Sequence, residues 1–382
     1  MRMNEMTATQ QADVAIIGAG MAGLAHALEA AKRGLKVVVF ERHPYAVGSS
    51  VRNFGMIFPF GVPLELREVA LRGRAIWLEV AQQAGFWLKE AGAILLAHSP
   101  HAWDVFNEFQ ESALQGGYDT DVLDAPSLLA RYPYLNPHDL HGGLWTRQEL
   151  TVDPREAIAT LPAFLAERYG VAFHYSTPVT HIALPHVIAG GQTWQVGHVI
   201  VCSGTEFEML YPDDFKRSGL FRTKLQMMRT ITQPHDFTLE QMMVGTLSAV
   251  HYPTFTQCAG LPALRAELAE RYQPLIERGI HVMAVQNGRG EIVLGDSHDN
   301  AWFHDPFNDP QTNQMIVSYL QSMLTLPTYQ MAQEWEGIYS KHPERVVYLH
   351  TPAERVRMLS VGGLGMTLSF GQAHATLNDM GL

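Results

Sequence analysis

Two cysteines, Cys202 and Cys258, are all that 382 residues contain, and no CxxC pair occurs. That excludes a disulfide framework and a thiolate zinc site. It fits a reducing compartment, so the expected location is the cytoplasm. Positive charge is also scarce: 27 Lys and Arg stand against 38 Asp and Glu, a formal net charge of −11. That balance argues against non-specific nucleic-acid binding and against attraction to an anionic membrane surface. It leaves open an anionic substrate, which a local basic pocket can hold whatever the total charge. No apolar run reaches the length of a membrane span, and none precedes the first strand-like segment after MRMNEMTATQQA. Neither an integral membrane segment nor a secretory signal is therefore expected. Eighteen histidines are present without an HExxH or comparable ligand spacing, and Asp296-Ser297-His298-Asp299 stands alone, so no metal is expected. Repeats, low-complexity tracts and charged tails are missing as well.

What the chain does have is length and glycine. Its length exceeds one simple core, so one domain with an insertion, or two domains, is the starting expectation. Asp13 to Gly18 reads as a short buried strand, and Gly18-Ala19-Gly20-Met21-Ala22-Gly23 follows at once. A helix-like run ends at Gly34, and the apolar segment Leu35 to Phe40 is closed by Glu41. These are the parts of a dinucleotide fingerprint in order and register. Gly18 permits the tight turn, Gly20 lets the backbone approach a pyrophosphate, and Gly23 lets helix pack on strand. A carboxylate at Glu41 accepts ribose hydroxyls and repels a 2′-phosphate, which disfavours NADP. The fingerprint alone does not choose between NAD and FAD.

Past Glu41 the chain does not continue as a second mononucleotide half. Ala70 to Ala84 reads as an amphipathic helix, and Asp153-Pro154-Arg155-Glu156 as a capped helix start running to about Tyr169. Strands are expected at 171–175, 179–183 and 198–204, the last ending on Ser203 and Gly204. Near the C-terminus, the strand 357–361 delivers GGLGMTLSFG (362–371), a glycine loop followed by a helix from about Phe370 to Met380. Such a loop brings N–H groups to a ligand and makes a second anion or dipole site. The fold class expected is α/β: a Rossmann-like dinucleotide domain interrupted by a substrate domain with a mostly antiparallel sheet flanked by helices. The expected boundaries are 1–84, 149–204 and 336–382 for the first, and 85–148 and 205–335 for the second. In the second, strands are expected at 223–232, 244–252, 280–285 and 291–295, with a hairpin turn at Asn287-Gly288-Arg289-Gly290. Helices are expected within 261–278 and 313–325.

GAGMAG (18–23), Glu41, SSVRNFG (49–55), TVDPRE (151–156), VIVCSG (199–204), Gly295-Asp296, Trp335-x-Gly337 and GGLGMTLS (362–369) together resemble a family. It is the FAD-dependent amine and amino-acid oxidoreductases, with D-amino-acid oxidase, glycine oxidase and monomeric sarcosine oxidase. KLQMMRT (224–230), HVMAVQNGRGE (281–291), GDSHD (295–299) and YSKHPE (339–344) add a closer likeness. They look like a subfamily proposed to oxidise aminophosphonates and encoded beside phosphonate-degradation genes. The resemblance implies FAD, held non-covalently because neither cysteine matches an attachment position. Its contacts would come from Gly18, Gly20, Met21, Ala22, Gly23, Glu41 and Arg42, then Ser49, Ser50, Arg52, Asn53 and Gly55. Val179, Ser203, Gly204 and Gly337 would add to these, and Gly363, Leu364, Gly365, Met366 and Thr367 would hold the flavin end. The resemblance also implies oxidation of a small amine, its C–H hydride passing to flavin N5. The imine then hydrolyses to an aldehyde plus ammonia or methylamine.

Two departures bear on the substrate. Tyr339 stands where amino-acid oxidising relatives place a carboxylate-gripping arginine, and Thr367 where sarcosine oxidases keep a lysine. These put ordinary amino acids in doubt, and the subfamily likeness implies an aminophosphonate as the substrate, either 2-aminoethylphosphonate or an N-methyl or 1-hydroxy derivative. A glycine, sarcosine or D-amino-acid type of activity is the alternative. The candidate catalytic and substrate residues are Tyr339, Lys341, Arg52, His251 and Tyr252. Val293 occupies the place of an oxygen-activating lysine, so the acceptor is O2 or another carrier. An NAD(P)-dependent dehydrogenase shares the first fingerprint but not the terminal glycine loop. A non-catalytic flavin-binding protein stays open, as does the oligomeric state.

Overall fold

A computed structural model describes residues 10–342, 347–350 (backbone only) and 355–382. The opening nine residues of the N-terminal reading, and Pro343 and Glu344 of YSKHPE, lie outside the described residues. The chain forms two compact units, one of residues 1–51, 158–221 and 339–382, the other of 52–157 and 222–338. The chain alternates between the two units, but against the expected boundaries 52–84, 149–157 and 336–338 fall in the second unit and 205–221 in the first. Contacts made by the helix Arg67–Ala84 explain the first shift: Trp77 packs on Phe86, and Arg67 donates to Pro59 O, Gly117 O and the Gln148 amide.

In the first unit the strand Gln10–Ile17 pairs in parallel with Val37–Phe40 on one side and Gln192–Val201 on the other. Ala172–His174 extends the sheet beyond 37–40, and Val356–Ser360 lies parallel to the end of 192–201. The central runs AIIG and VVVF are apolar without alternation because helices cover the sheet, and residues 37–40 are all buried. Five parallel strands therefore end on one edge. Strands 10–17 and 356–360 are separated there by a single strand, a spacing of about 10 Å.

The second unit is built on a nine-stranded sheet in which 299–301, 221–232, 291–295, 283–286, 242–244, 93–97, 142–146 and 120–124 are neighbours in that order. Antiparallel pairing dominates, and 93–97 with 242–244 is parallel. Helices Pro100–Ala113, Leu261–Arg271 and Pro310–Met323 accompany it. Its core holds an aromatic cluster of Phe60, Phe106, Phe109, Tyr118 and Phe255. The NGRG turn closes the 283–286/291–295 hairpin, with Asn287 Oδ1 accepting from the N–H groups of Arg289 and Glu291. The helix Pro154–Tyr169 starts as expected, with Asp153 Oδ1 accepting from Arg155 N at 2.9 Å.

Two expectations need correction. The strand read over 244–252 is only Met242–Val244, followed by a 3-10 turn at Thr246–Val250. Thr246 Oγ1 donates to Leu96 O and accepts from His98 N, which draws the backbone out of the ladder. The terminal helix begins at Gly365, not Phe370, after a 3-10 turn at Gly362–Leu364. Gly365 has ordinary helical angles, φ −55 and ψ −41. No helix among the described residues is long and apolar enough to cross a membrane.

Candidate cofactor and active site

At the carboxyl edge of the parallel sheet, Gly18 has φ +105, and a Cβ there would meet Cys202 O at 2.5 Å. A Cβ on Gly23 would lie 1.9 Å from Gly18 O. These contacts let the helix Met21–Lys32 start directly over the strand. Its free N–H groups and dipole make the turn an anion site. Glu41, buried at the end of strand 37–40, accepts from Ala19 N at 3.0 Å and from His43 N at 3.0 Å. Ser50 Oγ accepts from Met21 N at 2.8 Å. A Cβ added at Gly20 would meet Ser50 Oγ at 2.9 Å, closer than a real Cβ contact allows. Gly18, Gly20, Met21, Ala22, Gly23, Glu41, Ser49 and Ser50 are thus brought together. Ser203 and Gly204 follow strand 192–201 on the same edge, with Gly204 at φ +64 and Ser203 Oγ donating to Glu206 O. Arg42 is half-exposed and paired with Glu206. Val179 is buried in an antiparallel pairing with Ala189.

The second glycine turn sits on the same edge, after strand 356–360. The helix Gly365–Asp379 packs on the helix Met21–Lys32, with His26 Nε2 and Thr376 Oγ1 at 3.0 Å. Its first turn presents the N–H groups of Gly365, Met366 and Thr367, with Leu364 as the residue before it. Tyr339 lies against Gly363: an added Cβ would meet the ring at 3.1 Å. Ser369 Oγ is buried without a hydrogen-bond partner among the described residues. A cradle empty of Cβ atoms at one turn, a ribose-ready carboxylate, and an orphaned hydroxyl under a helix N-terminus at the other fit a flavin dinucleotide.

The sequence model of the DAO family, described as FAD dependent oxidoreductase, matches residues 13–378. The chain belongs to that family. FAD is accordingly its cofactor. Among curated relatives, N-methyl-L-tryptophan oxidase of Citrobacter koseri is 28% identical over 214 residues, 53% of this chain and 55% of that protein. Human mitochondrial sarcosine dehydrogenase is 27% identical over 178 residues, 45% of this chain and 19% of that protein. The chain thus spans from 19% to 61% of the length of curated relatives such as these. Glycine oxidase from Geobacillus kaustophilus superposes with a TM-score of 0.75 at 19% identity, over 97% of this chain and 95% of that one. The α/β class with a dinucleotide sheet and a second, mostly antiparallel sheet agrees with this fold.

In the first unit Tyr339 and Lys341 alternate along the strand Met331–Lys341, so they share one face. The other expected residues lie in the second unit. Arg52 Nη1 donates to Glu336 O at 3.4 Å, and Trp335 Nε1 donates to Arg52 O at 3.0 Å. Gly337 faces Arg52 O and Leu225, and Asn53 Oδ1 accepts from Gly55 N at 2.7 Å. Gly55, at φ +79, is required by Val152 O, 1.9 Å from an added Cβ. Lys224 reaches the carbonyls of Asp305 and Phe307 and the carboxylates of Asp305 and Glu336, so its ammonium is committed within the unit. Val293 is buried beside Arg229, Arg155 and Asn287. Tyr252 packs on Phe58, and His251 stacks on His281 at 3.9 Å between ring centroids. His281 was legible only as a strand residue; its partners are distant in sequence, so no spacing pointed to it.

Proposed function

We propose that this oxidoreductase oxidises a small amine, and that the amine carries a phosphonate. One observation carries the reading: Tyr339, at the position amino-acid oxidising relatives give to an arginine, lies against Gly363 in the flavin-holding turn. A phenol there cannot grip a carboxylate bidentately. Lys341 on the same face adds an ammonium, and a phosphonate with three oxygens suits donors spread in space better than one fork. Arg52, His251 and Tyr252 complete the candidate set.

Bound non-covalently, FAD supplies a two-electron acceptor for the C–H bond beside nitrogen. Gly18 to Gly23 would hold its pyrophosphate, Glu41 its ribose hydroxyls, and the N–H groups of Gly365 to Thr367 its pyrimidine end. The same N–H groups favour negative charge developing beside them, through fixed dipoles that need no reorganisation. Tyr339 and Lys341 would orient the anionic end of the amine, so that no strong base is needed if the amine arrives neutral. Both cysteines are buried thiols, Cys202 pushed up to about 12 and Cys258 to about 11 by burial, which suits a cytoplasmic protein with unattached flavin.

Anaerobic titration of the yellow protein tests this directly. Reduction by 2-aminoethylphosphonate or its N-methyl or 1-hydroxy derivative is expected, with KM raised about tenfold or more in Lys341→Ala and Tyr339→Phe. Bleaching by glycine, sarcosine or D-alanine alone would sink the phosphonate. It would favour the second reading, a carboxylate amine, which the likeness to N-methyl-L-tryptophan oxidase supports.

A further inference from the structure

We propose that His251, His281 and His298, with Asp296 beside two of them, form a binding site for a divalent transition-metal ion, zinc above all. The inference goes beyond amine oxidation and stands on the second unit alone. One nitrogen from each imidazole lies within 4.8 Å of the others, and the ring centroids are 3.9, 4.8 and 5.2 Å apart. Asp296 faces two of them, with Oδ1 3.5 Å from His281 Nε2 and Oδ2 3.9 Å from His298 Nε2. A direct hydrogen bond would sit near ~2.9 Å. Two ligands of one tetrahedral zinc, each about 2.0–2.1 Å from the ion, sit roughly 3.3 Å apart. The observed spacing is closer to the second arrangement.

The orientation of the rings points the same way. His298 Nδ1 is 2.9 Å from Gly279 O, and His281 Nδ1 is 3.3 Å from Ser248 Oγ. The Gly279 carbonyl on His298 Nδ1 selects the tautomer whose Nε2 carries the lone pair, the usual outer support of a metal-bound histidine. In both rings Nε2 is the nitrogen turned to Asp296. The site is also rigid: Met283 pairs with Gly295, and His281 N donates to Asp296 O at 3.3 Å. His281 and Asp296 are each 5% exposed.

Three imidazoles and one carboxylate are a borderline donor set, suited to zinc and unsuited to magnesium or calcium. Three imidazoles leave the fourth position of a tetrahedral shell to an oxygen, so the ion would clamp the turn at residue 251 to the 283–295 hairpin. The four positions are spread over 48 residues, too widely for any ligand motif in the sequence to announce them.

Tag-free, FAD-loaded protein, stripped with chelator and desalted, is titrated with zinc chloride against a chromogenic competitor. One tightly held zinc per chain is expected, indifferent to excess magnesium. Binding at least about tenfold weaker is expected in His251→Ala, Asp296→Asn and His298→Gln. Zinc-edge X-ray absorption on the wild-type protein needs no variant and is expected to show three imidazoles and one oxygen. Failure to take up one zinc, unchanged affinity in the folded variants, or a shell with sulfur or fewer than three imidazoles would overturn the site. So would stabilisation by inorganic phosphate in place of zinc, which would make the cluster an anion site. None of these outcomes depends on which amine the enzyme oxidises.

Discussion

The two glycine turns of the dinucleotide-binding unit differ in what they owe to the fold. At Gly23 an added Cβ would lie 1.9 Å from a backbone carbonyl, and at Gly18 the strain of φ +105 is added to a 2.5 Å approach to Cys202 O. At the other turn only Gly362 has positive φ, +56. A Cβ on Gly363 would touch the movable edge of the Tyr339 ring at 3.1 Å, and one on Gly365 a Val361 methyl at 3.4 Å. The first turn needs glycine whether or not a ligand comes. The second could dispense with it at two positions, so there the ligand is the better reason for glycine.

The largest expected effect breaks or keeps that contrast. Gly23→Ala forces helix from strand and is expected to cost about 3 kcal/mol or more in urea unfolding of FAD-free protein. Gly363→Ala is expected to cost about 1 kcal/mol or less in the same measurement, while lowering flavin affinity or turnover. Equal destabilisation by the two substitutions would erase the distinction.

Acid should loosen the place where the two turns meet. His26, fully buried, has Nδ1 2.6 Å from Ala22 O and Nε2 3.0 Å from Thr376 Oγ1, so it joins the helices that leave both turns. Burial drives its pKa down to about 4, against the contrary pull of the Ala22 carbonyl and Glu29. The unfolded chain, near 6.5, takes the proton first, so stability is present above pH 6.5 and lost as pH falls towards 4. The full loss is on the order of 3 kcal/mol. His98, held at about 4 in the other unit, adds a slope of the same sign. Glu149, pushed up to about 7 by burial, contributes the opposite one, gaining stability as pH falls from about 7 towards 4.5. His26→Gln should therefore flatten only its share of the slope between pH 6.5 and 4.5; an unchanged slope would remove His26 from the account.

Where physics acts locally the sequence was legible. The fingerprint, Glu41, the Asp153 cap and the NGRG hairpin each depend on neighbours a few residues away, and each stands where expected. The strand read over 244–252 failed because Thr246 bonds to residues 96 and 98, a contact no periodicity carries. The terminal helix began five residues early because Gly365 masked a helical first turn as loop. Residues 85–148 yielded little in advance, although Ser99 and Asp124 cap helices there in the usual way. The candidate site divided similarly: both glycine turns could be read, whereas Tyr339 against Gly363 and the histidine cluster arise from distant segments meeting.

The smallest effect reverses sign with the cofactor, which makes it the sharpest probe of the contrast. Ser50 Oγ is engaged by Met21 N in the first turn, so Ser50→Ala is expected to cost about 1 kcal/mol in FAD-free protein. Ser369 Oγ is buried beneath the second turn without a hydrogen-bond partner among the described residues. Removing a hydroxyl that already lacks a partner costs the empty protein nothing, so Ser369→Ala should change its stability by less than about 0.5 kcal/mol, or raise it. With FAD bound the hydroxyl gains a purpose if a bridging water or the flavin edge supplies the partner, and affinity should fall about fivefold, the equivalent of one hydrogen bond. Equilibrium dialysis of FAD beside urea unfolding of the apoprotein separates the two. A variant that loses stability and keeps its FAD affinity would show that the second turn, like the first, answers to the fold before the ligand.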